Sequence, residues 1–375
     1  MTGTFDLAVI GGGVLGSAAA LRCAEGGMKV VVLDKGELGG GASGVNAGTL
    51  SLQIKRVKLM PYALRGHALW KAAGEKVGYH EPGGLTLAFN DREAALLEER
   101  MTLKREAGAP IELIGLDRLR GLEPGLSRQV VAASWCAEDG FADSSLTGAY
   151  YRGRLKAAGV EAREHAAVSA IRREENGFAL EARSGADVVP VRARRLLLAC
   201  GAWSVQAGRM IDLDLPVRAR INTVSVTERG PRIVSAVIGH ATGLLTLKQK
   251  PNGSVLIGGG WQGRGTPDEG RGQVQAETLI PNLQLACHAV PGLKDFRLVR
   301  TWTGFEANTP DFYPLAGPAP GVPDAWILAC VRGGYTIGPY MGGLMGDAIL
   351  GREPELPLFD PARDFDAPHA ETSPT

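Results

Sequence analysis

Phe5-Asp6-Leu7-Ala8-Val9-Ile10-Gly11-Gly12-Gly13-Val14-Leu15-Gly16, then the small-residue run Ser17-Ala18-Ala19-Ala20, then Val30-Val31-Val32-Leu33-Asp34, decides the fold of this chain. An apolar strand enters three glycines, a helix follows, and a second apolar strand ends on an acid. That is the order a dinucleotide-binding βαβ unit requires, and it carries far more weight than a lone G-x-G-x-x-G. Gly11 permits the tight turn out of the strand, Gly13 lets the backbone approach a pyrophosphate, and Gly16 lets the helix pack closely on the sheet. With Val14 and Leu15 they place the helix N-terminus, the positive end of its dipole, against the phosphates. Asp34 lies about 20 residues beyond the glycines, where its carboxylate can accept hydrogen bonds from ribose hydroxyls. A free 2′-hydroxyl fits FAD or NAD and disfavours NADP.

Composition agrees with an enzyme of two domains. The 375 residues, 45% of them hydrophobic, are enough for two cores, and 41 basic against 40 acidic residues give no charge excess directed at nucleic acid. Cys23, Cys136, Cys200, Cys287 and Cys330 show no metal-ligand spacing and read as reduced thiols of a cytoplasmic protein. No metal site is expected. The N-terminus enters its strand without a basic, apolar leader, and no apolar run reaches about 18 residues, so neither secretion nor a membrane span is expected.

After Asp34 and Lys35 comes Gly39-Gly40-Gly41-Ala42-Ser43-Gly44-Val45-Asn46-Ala47-Gly48, too rich in glycine for a helix or an ordinary strand and suited to lining a ligand with backbone N–H groups. Here the sequence resembles the FAD-dependent D-amino-acid oxidase and sarcosine oxidase superfamily. The resemblance favours FAD over NAD and implies that Gly41, Ala42, Ser43, Asn46, Ala47 and Gly48 run along the cofactor. It continues in Leu196-Leu197-Leu198-Ala199-Cys200-Gly201-Ala202-Trp203, similar to the family's second FAD-contacting strand and turn. Val168, Cys200, Gly201 and Trp203 are thereby expected at the cofactor. It ends in Arg300-Thr301-Trp302-Thr303-Gly304, Thr309-Pro310-Asp311 and Trp326 to Pro339. The resemblance implies that Arg332, Gly333, Gly334, Tyr335, Thr336 and Ile337 cover the flavin, leading into a helix around Met341 to Leu350. It spans about Phe5 to Gly351.

The implied fold is α/β (α+β): an FAD-binding Rossmann-like domain with an inserted antiparallel-sheet substrate domain. The FAD domain is expected at 1–80, 139–212 and 325–361, the substrate domain at 81–138 and 213–324, and a loosely ordered tail at 362–375, with loss of order beginning after Gly351. Asp139 to Gly159 reads as a helix capped by Asp143 or Ser144, and 91–107 as a charged helix. Leu244 to Gly258 reads as a hairpin turning at Asn252-Gly253.

The resemblance implies hydride transfer from the carbon beside an amine to flavin N5, followed by imine hydrolysis. No catalytic base is obligatory if the amine arrives neutral. The six histidines share no spacing and no nucleophile constellation is present. For the substrate carboxylate, Arg332 is the first candidate because a guanidinium grips a carboxylate with paired hydrogen bonds. Lys248, Gln249 and Lys250 follow, alternate residues of their strand facing the ring, and Tyr335 or Thr336 can add a hydroxyl. Arg300 and Asp311 read as a structural pair. In monomeric sarcosine oxidases a cysteine near the Thr-Pro-Asp motif binds the flavin covalently, but Gly304 stands there in this chain, so the FAD is expected to be non-covalent. Gly258 to Gly263 with Arg300 to Gly304 resembles bacterial β-type subunits that oxidise opines or D-hydroxyproline alongside partner subunits. The expected substrate is a small amino acid, with a D centre or a secondary amine. The alternatives are a stand-alone glycine, sarcosine or D-amino-acid oxidase using oxygen, and a flavin subunit that relays electrons in a larger complex.

Overall fold

A computed structural model describes residues 4–329 and 333–365, which fall into two compact units. Among the described residues the first comprises 4–45, 144–220, 305–329 and 333–365, and the second 46–143 and 221–304. Residues 46–80 and 139–143, placed with the nucleotide domain from sequence, cluster with the second unit, where Gln53 Nε2 donates to Gly84 O and Ser134 Oγ donates to Gln53 Oε1, while 213–220 and 305–324, placed with the substrate domain, cluster with the first.

In the first unit, β1 (Phe5–Ile10) lies parallel between β2 (Val30–Leu33) and the long strand Asp187–Leu198. The parallel set continues through Glu161–Arg163 on one side and Ala325–Ala329 on the other, and Leu315–Pro318 closes that edge antiparallel. All four β2 residues are buried, as an apolar run covered on both faces must be. The helix α1 (Val14–Glu25) packs on the final helix, Gly334–Ile349, through a row of glycines. A Cβ on Gly342 would meet Ala18 Cβ and Leu15 O at 2.6 Å, and one on Gly346 would meet Arg22 Cβ at 2.5 Å. The spacing 338, 342, 346 puts one glycine per turn on a single face.

In the second unit an eight-stranded sheet runs Leu298–Asn308, Arg218–Arg229, Ser254–Gly258, Thr246–Gln249, Val237–His240, Gly84–Ala88, Ala132–Cys136, Ile111–Ile114. It is antiparallel except that Gly84–Ala88 and Val237–His240, distant in sequence, pair in parallel. One face is apolar: Leu85, Leu87, Ile238, Leu247, Val255 and Ile257 form a core with Ala286 and Ala289 of the helix Ala276–Ala289. Strand alternation puts Gly84, Thr86, Ser134, Gly239, Thr246, Lys248 and Gly258 on the other face. These are small or polar residues, and Asp139 and Gln53 pack against part of this face: a Cβ on Gly84 would meet Asp139 Oδ2 at 2.5 Å, and Gln53 Nε2 donates to Gly84 O.

The expected hairpin forms, with Gly253 at φ +88° in its turn, and so does the charged helix, Asp91–Glu106, capped by the Asn90 side chain. Other expectations are corrected. The glycine-rich loop contains a short helix, Ala42–Val45, because Gly44 and Val45 N–H can close onto Gly41 O. Neither Asp143 nor Ser144 caps the next helix. It starts at Thr147 after a 3₁₀ turn, while Asp143 binds Lys250 and Ser144 Oγ donates to Gly44 O. The final helix begins at Gly334, seven residues before Met341, and runs through Pro339, which lies inside it. The chain beyond Gly351 is pinned rather than loose as far as residue 365. Arg363 donates to both Asp311 carboxylate oxygens, at 2.7 and 3.0 Å, and to Tyr313 O, and Phe359 stacks on Tyr313. Arg363 is therefore an ion-pair partner of Asp311 within the first unit, where the sequence had offered Arg300.

Candidate active site

The first unit carries a mould for a dinucleotide made largely of backbone. Gly11 has φ +105°, and a Cβ there would lie 2.3 Å from Ala199 O. A Cβ on Gly16 would meet Gly11 O at 2.0 Å, so this glycine is required by packing alone. Gly13 is different. A Cβ there meets only Ser43 Oγ, at 3.1 Å, so its bare backbone faces open space at the helix N-terminus. That terminus has no side-chain cap and no acid in its first turn, and Val14 N–H donates to Ser43 Oγ at 3.0 Å. Such an end attracts an anion. The Asp34 carboxylate accepts from Gly12 N–H at 2.7 Å and Gly36 N–H at 2.8 Å, which fixes it beside the glycine turn with lone pairs to spare.

Around this mould stand other residues singled out from sequence. Lys35 Nζ lies 3.3 Å above the Trp203 ring, which meets Phe305 edge-on, and burial pulls the Lys35 ammonium below its ordinary pKa although Asp34 opposes this. Cys200 donates its thiol to Ile10 O, and Gly201, at φ +54°, faces open space, as does Gly41. Val168 pairs with Ala182 and packs on the core of this unit. Gly333, at φ +80°, opens the final helix; Thr336 and Ile337 are buried beneath it, and the Tyr335 hydroxyl lies 2.9 Å from Thr147 Oγ1. Arg332, the first carboxylate candidate, and Cys330 lie outside the described residues.

The second unit holds the rest. Asn46 Oδ1 accepts from Gly48 N–H at 2.6 Å, and Gly48 O accepts from Ala142 N–H, fixing the segment that ends at Thr49. Lys248 is buried, its Nζ donating to Thr49 Oγ1 at 2.6 Å, and burial, aided by Lys250, pulls its pKa down to about 7. Gln249 points the other way and is not a substrate residue. Its amide accepts from Ile233 and Val234 N–H and donates to Pro231 O and Gly253 O, so all its hydrogen-bonding capacity holds the chain beside the turn. Lys250 forms an ion pair with Asp143 at 2.6 Å. Gly304 lies within the strand Leu298–Asn308. Sequence reasoning missed the buried set around Asp139, which accepts from Ser51 Oγ, Leu52 N–H and Gln53 Nε2 and orders the stretch after Thr49. An acid between two short strands gave no periodic signal.

A profile of the DAO family, described as FAD dependent oxidoreductase, matches residues 6–348. This chain belongs to the DAO family. It is thus an FAD-dependent oxidoreductase, and the NAD reading of the βαβ unit falls away. This DAO-family chain is 28% identical over 371 residues to the glycine oxidase of Geobacillus kaustophilus, covering 96% of each. It is 27% identical to an opine oxidase subunit from Rhizobium meliloti, covering 98% of this chain and 99% of that one. Among solved structures, L-proline dehydrogenase from P. horikoshii superposes with a TM-score of 0.87 at 24% identity, covering 96% of this chain and 98% of that one, which shows the shared fold. The mould in the first unit fits the cofactor: an uncapped helix end, a glycine a Cβ would fill, and an acid at the end of β2. Among the described residues no helix is long and apolar enough to cross a membrane.

Proposed function

We propose that the protein oxidises the C–N bond of a small amino acid. The observation that carries this reading is the end-to-end similarity to glycine oxidase and to the opine oxidase chain, which holds over both units and not over the nucleotide mould alone. Gly13 and Val14 N–H with Ser43 bind the pyrophosphate, Asp34 the adenosine ribose, and Gly333 to Ile337 the flavin. The FAD is held without a covalent bond, Gly304 offering no thiol. When bound, FAD supplies the hydride acceptor, and the imine is hydrolysed by water. The face of the second sheet that carries Lys248, the one charged group of its central strands among the described residues, receives the amino acid. Arg332 remains the proposed grip on the carboxylate, and Tyr335 a neighbouring hydroxyl.

The test is anaerobic. Purified protein is mixed with glycine, sarcosine, D- and L-amino acids, proline and hydroxyproline isomers and opines, and flavin bleaching is followed. Bleaching by one class establishes the reaction and its substrate group; a yellow protein that none of them bleaches overturns the reading. The opine oxidase relative is named as one subunit of its enzyme, which favours a second reading, in which this chain works with partner subunits. Full turnover with oxygen by the isolated chain would dismiss it.

A further inference from the structure

We propose that Lys248 is a proton acceptor that converts the substrate's ammonium group to the neutral amine, the form that can be oxidised at carbon. The inference rests on the function proposed above and adds a catalytic base to it. Lys248 sits mid-strand on the small-residue face, opposite Leu256 and between Thr246 and Lys250. Only 1% of it is exposed, yet among the described residues no carboxylate pairs with it: its nitrogen has the Thr49 hydroxyl at 2.6 Å and the Phe141 ring at 5.7 Å. Neither Lys250 nor Asp139 pairs with it. Lys250, two residues on, is occupied by Asp143, and Asp139 is buried and takes its hydrogen bonds from Ser51, Leu52 and Gln53. A buried ammonium with one neutral acceptor is a poor resting state, whereas a neutral amine there satisfies its surroundings.

Its neighbour in the strand shows that this is not the only way to bury a polar side chain here. Gln249 is equally buried and has a backbone partner for each of its donors and acceptors. Lys248 keeps a lone pair, beside Thr49, which follows directly on the Asn46–Gly48 segment. In the step proposed, an N–H bond of the substrate ammonium breaks with its electron pair left on the substrate nitrogen, and the proton bonds to the lone pair of Lys248 Nζ. No oxidant is needed for this transfer.

Two measurements test it. The first is the pH dependence of anaerobic flavin bleaching with whichever amino acid of the panel reacts. The wild type is expected to inflect near pH 7, the value to which burial brings Lys248. Lys248→Met and Lys248→Arg, neither able to accept a proton, are expected to keep their FAD, to lose about a hundredfold in rate at pH 7, and to recover as pH approaches the pKa of the substrate amine. An unchanged profile in either variant overturns the proposal. The second needs no turnover: the urea stability of wild type and Lys248→Met compared across pH. A lysine with a folded pKa near 7 and an unfolded value of about 10.4 sheds a proton on folding between those limits. The wild type's folding constant should then gain up to about tenfold per pH unit over the variant's in that window. A pH-independent difference means that Lys248 stays charged in the fold and overturns the proposal. Should neither variant fold, the wild-type inflection still decides, staying put for a primary and a secondary amine if it belongs to Lys248 and moving with the substrate if not. Failure of every amino acid to bleach the wild type would sink the proposed function instead, leaving the stability comparison to judge Lys248.

Discussion

The two sheets of this protein use glycine and polar residues in opposite ways. In the first unit the sheet is buried on both faces and the ligand mould is backbone: Gly11 and Gly16 are fixed by contacts below van der Waals distance, whereas a Cβ on Gly13 would meet only Ser43 Oγ and one on Gly41 or Gly201 nothing. In the second unit the sheet has one apolar face, and its other face gets its character from side chains on alternate residues, with Lys248 and Gln249 adjacent in sequence and opposite in role. A backbone mould must use residues with no side chain, so it announces itself in sequence. A side-chain site is decided by what packs around each position.

Substitutions can break or sharpen that contrast. The largest effect is expected at the mould. Gly13→Val should leave the fold standing, since its Cβ meets only a serine hydroxyl, yet weaken FAD retention at least about tenfold, or 1.4 kcal/mol. Absorbance of the purified variant near 450 nm reads this out, and full yellow colour would show that Gly13 is not at the pyrophosphate.

Arg363→Ala comes next. Asp311 is 1% exposed on its side chain, and breaking a buried pair costs about 3 kcal/mol. Burial pushes the Asp311 carboxyl up, but the hydrogen bonds from Arg363 and Tyr313 N–H prevail and hold it below its ordinary value. A carboxylate with a depressed folded pKa stabilises the fold above its unfolded pKa of about 3.9 and loses that contribution as pH falls through the folded value. Urea melts should therefore show the gap between wild type and variant at pH 7 closing below about pH 4; a gap that persists there would mean that Arg363 acts through packing.

Gly342→Ala forces a methyl between α1 and the final helix, where the nearest atoms are 2.6 Å away, and should cost about 2 kcal/mol by overpacking. Differential scanning calorimetry measures it, and an unchanged Tm would mean that the helices move apart freely. The smallest effect is expected beside the proposed base: Gln249→Ala should lose about 1–2 kcal/mol through its unmatched backbone partners while the pH profile of bleaching stays that of the wild type. A shifted profile would put Gln249 back among the substrate residues.

Legibility followed the same division. The βαβ unit, Asp34, the hairpin at Asn252-Gly253 and the charged helix could all be read because each depends on neighbours within a few residues. The glycine row 338, 342, 346 was legible in principle, one per turn, but its meaning needed α1 as the opposing surface. The partner of Asp311 was not legible, since Arg363 is 52 residues away in a stretch whose composition suggested disorder. Residues 46–80 were assigned to the other unit because nothing local reveals that Gln53 bonds to Gly84 and Ser134 of the second sheet.

By itself the sequence determined the nucleotide-binding half, because that rests on backbone conformation and on the order of strand, glycines, helix and acid, and its resemblance to a known family pointed to FAD. Only the tertiary structure decided which of Lys248 and Gln249 is held by a side-chain hydroxyl rather than by backbone, which arginine holds Asp311, and which glycines serve packing rather than ligand. Each of these depends on desolvation and contact with residues distant in the chain, and neither quantity exists until the chain has folded.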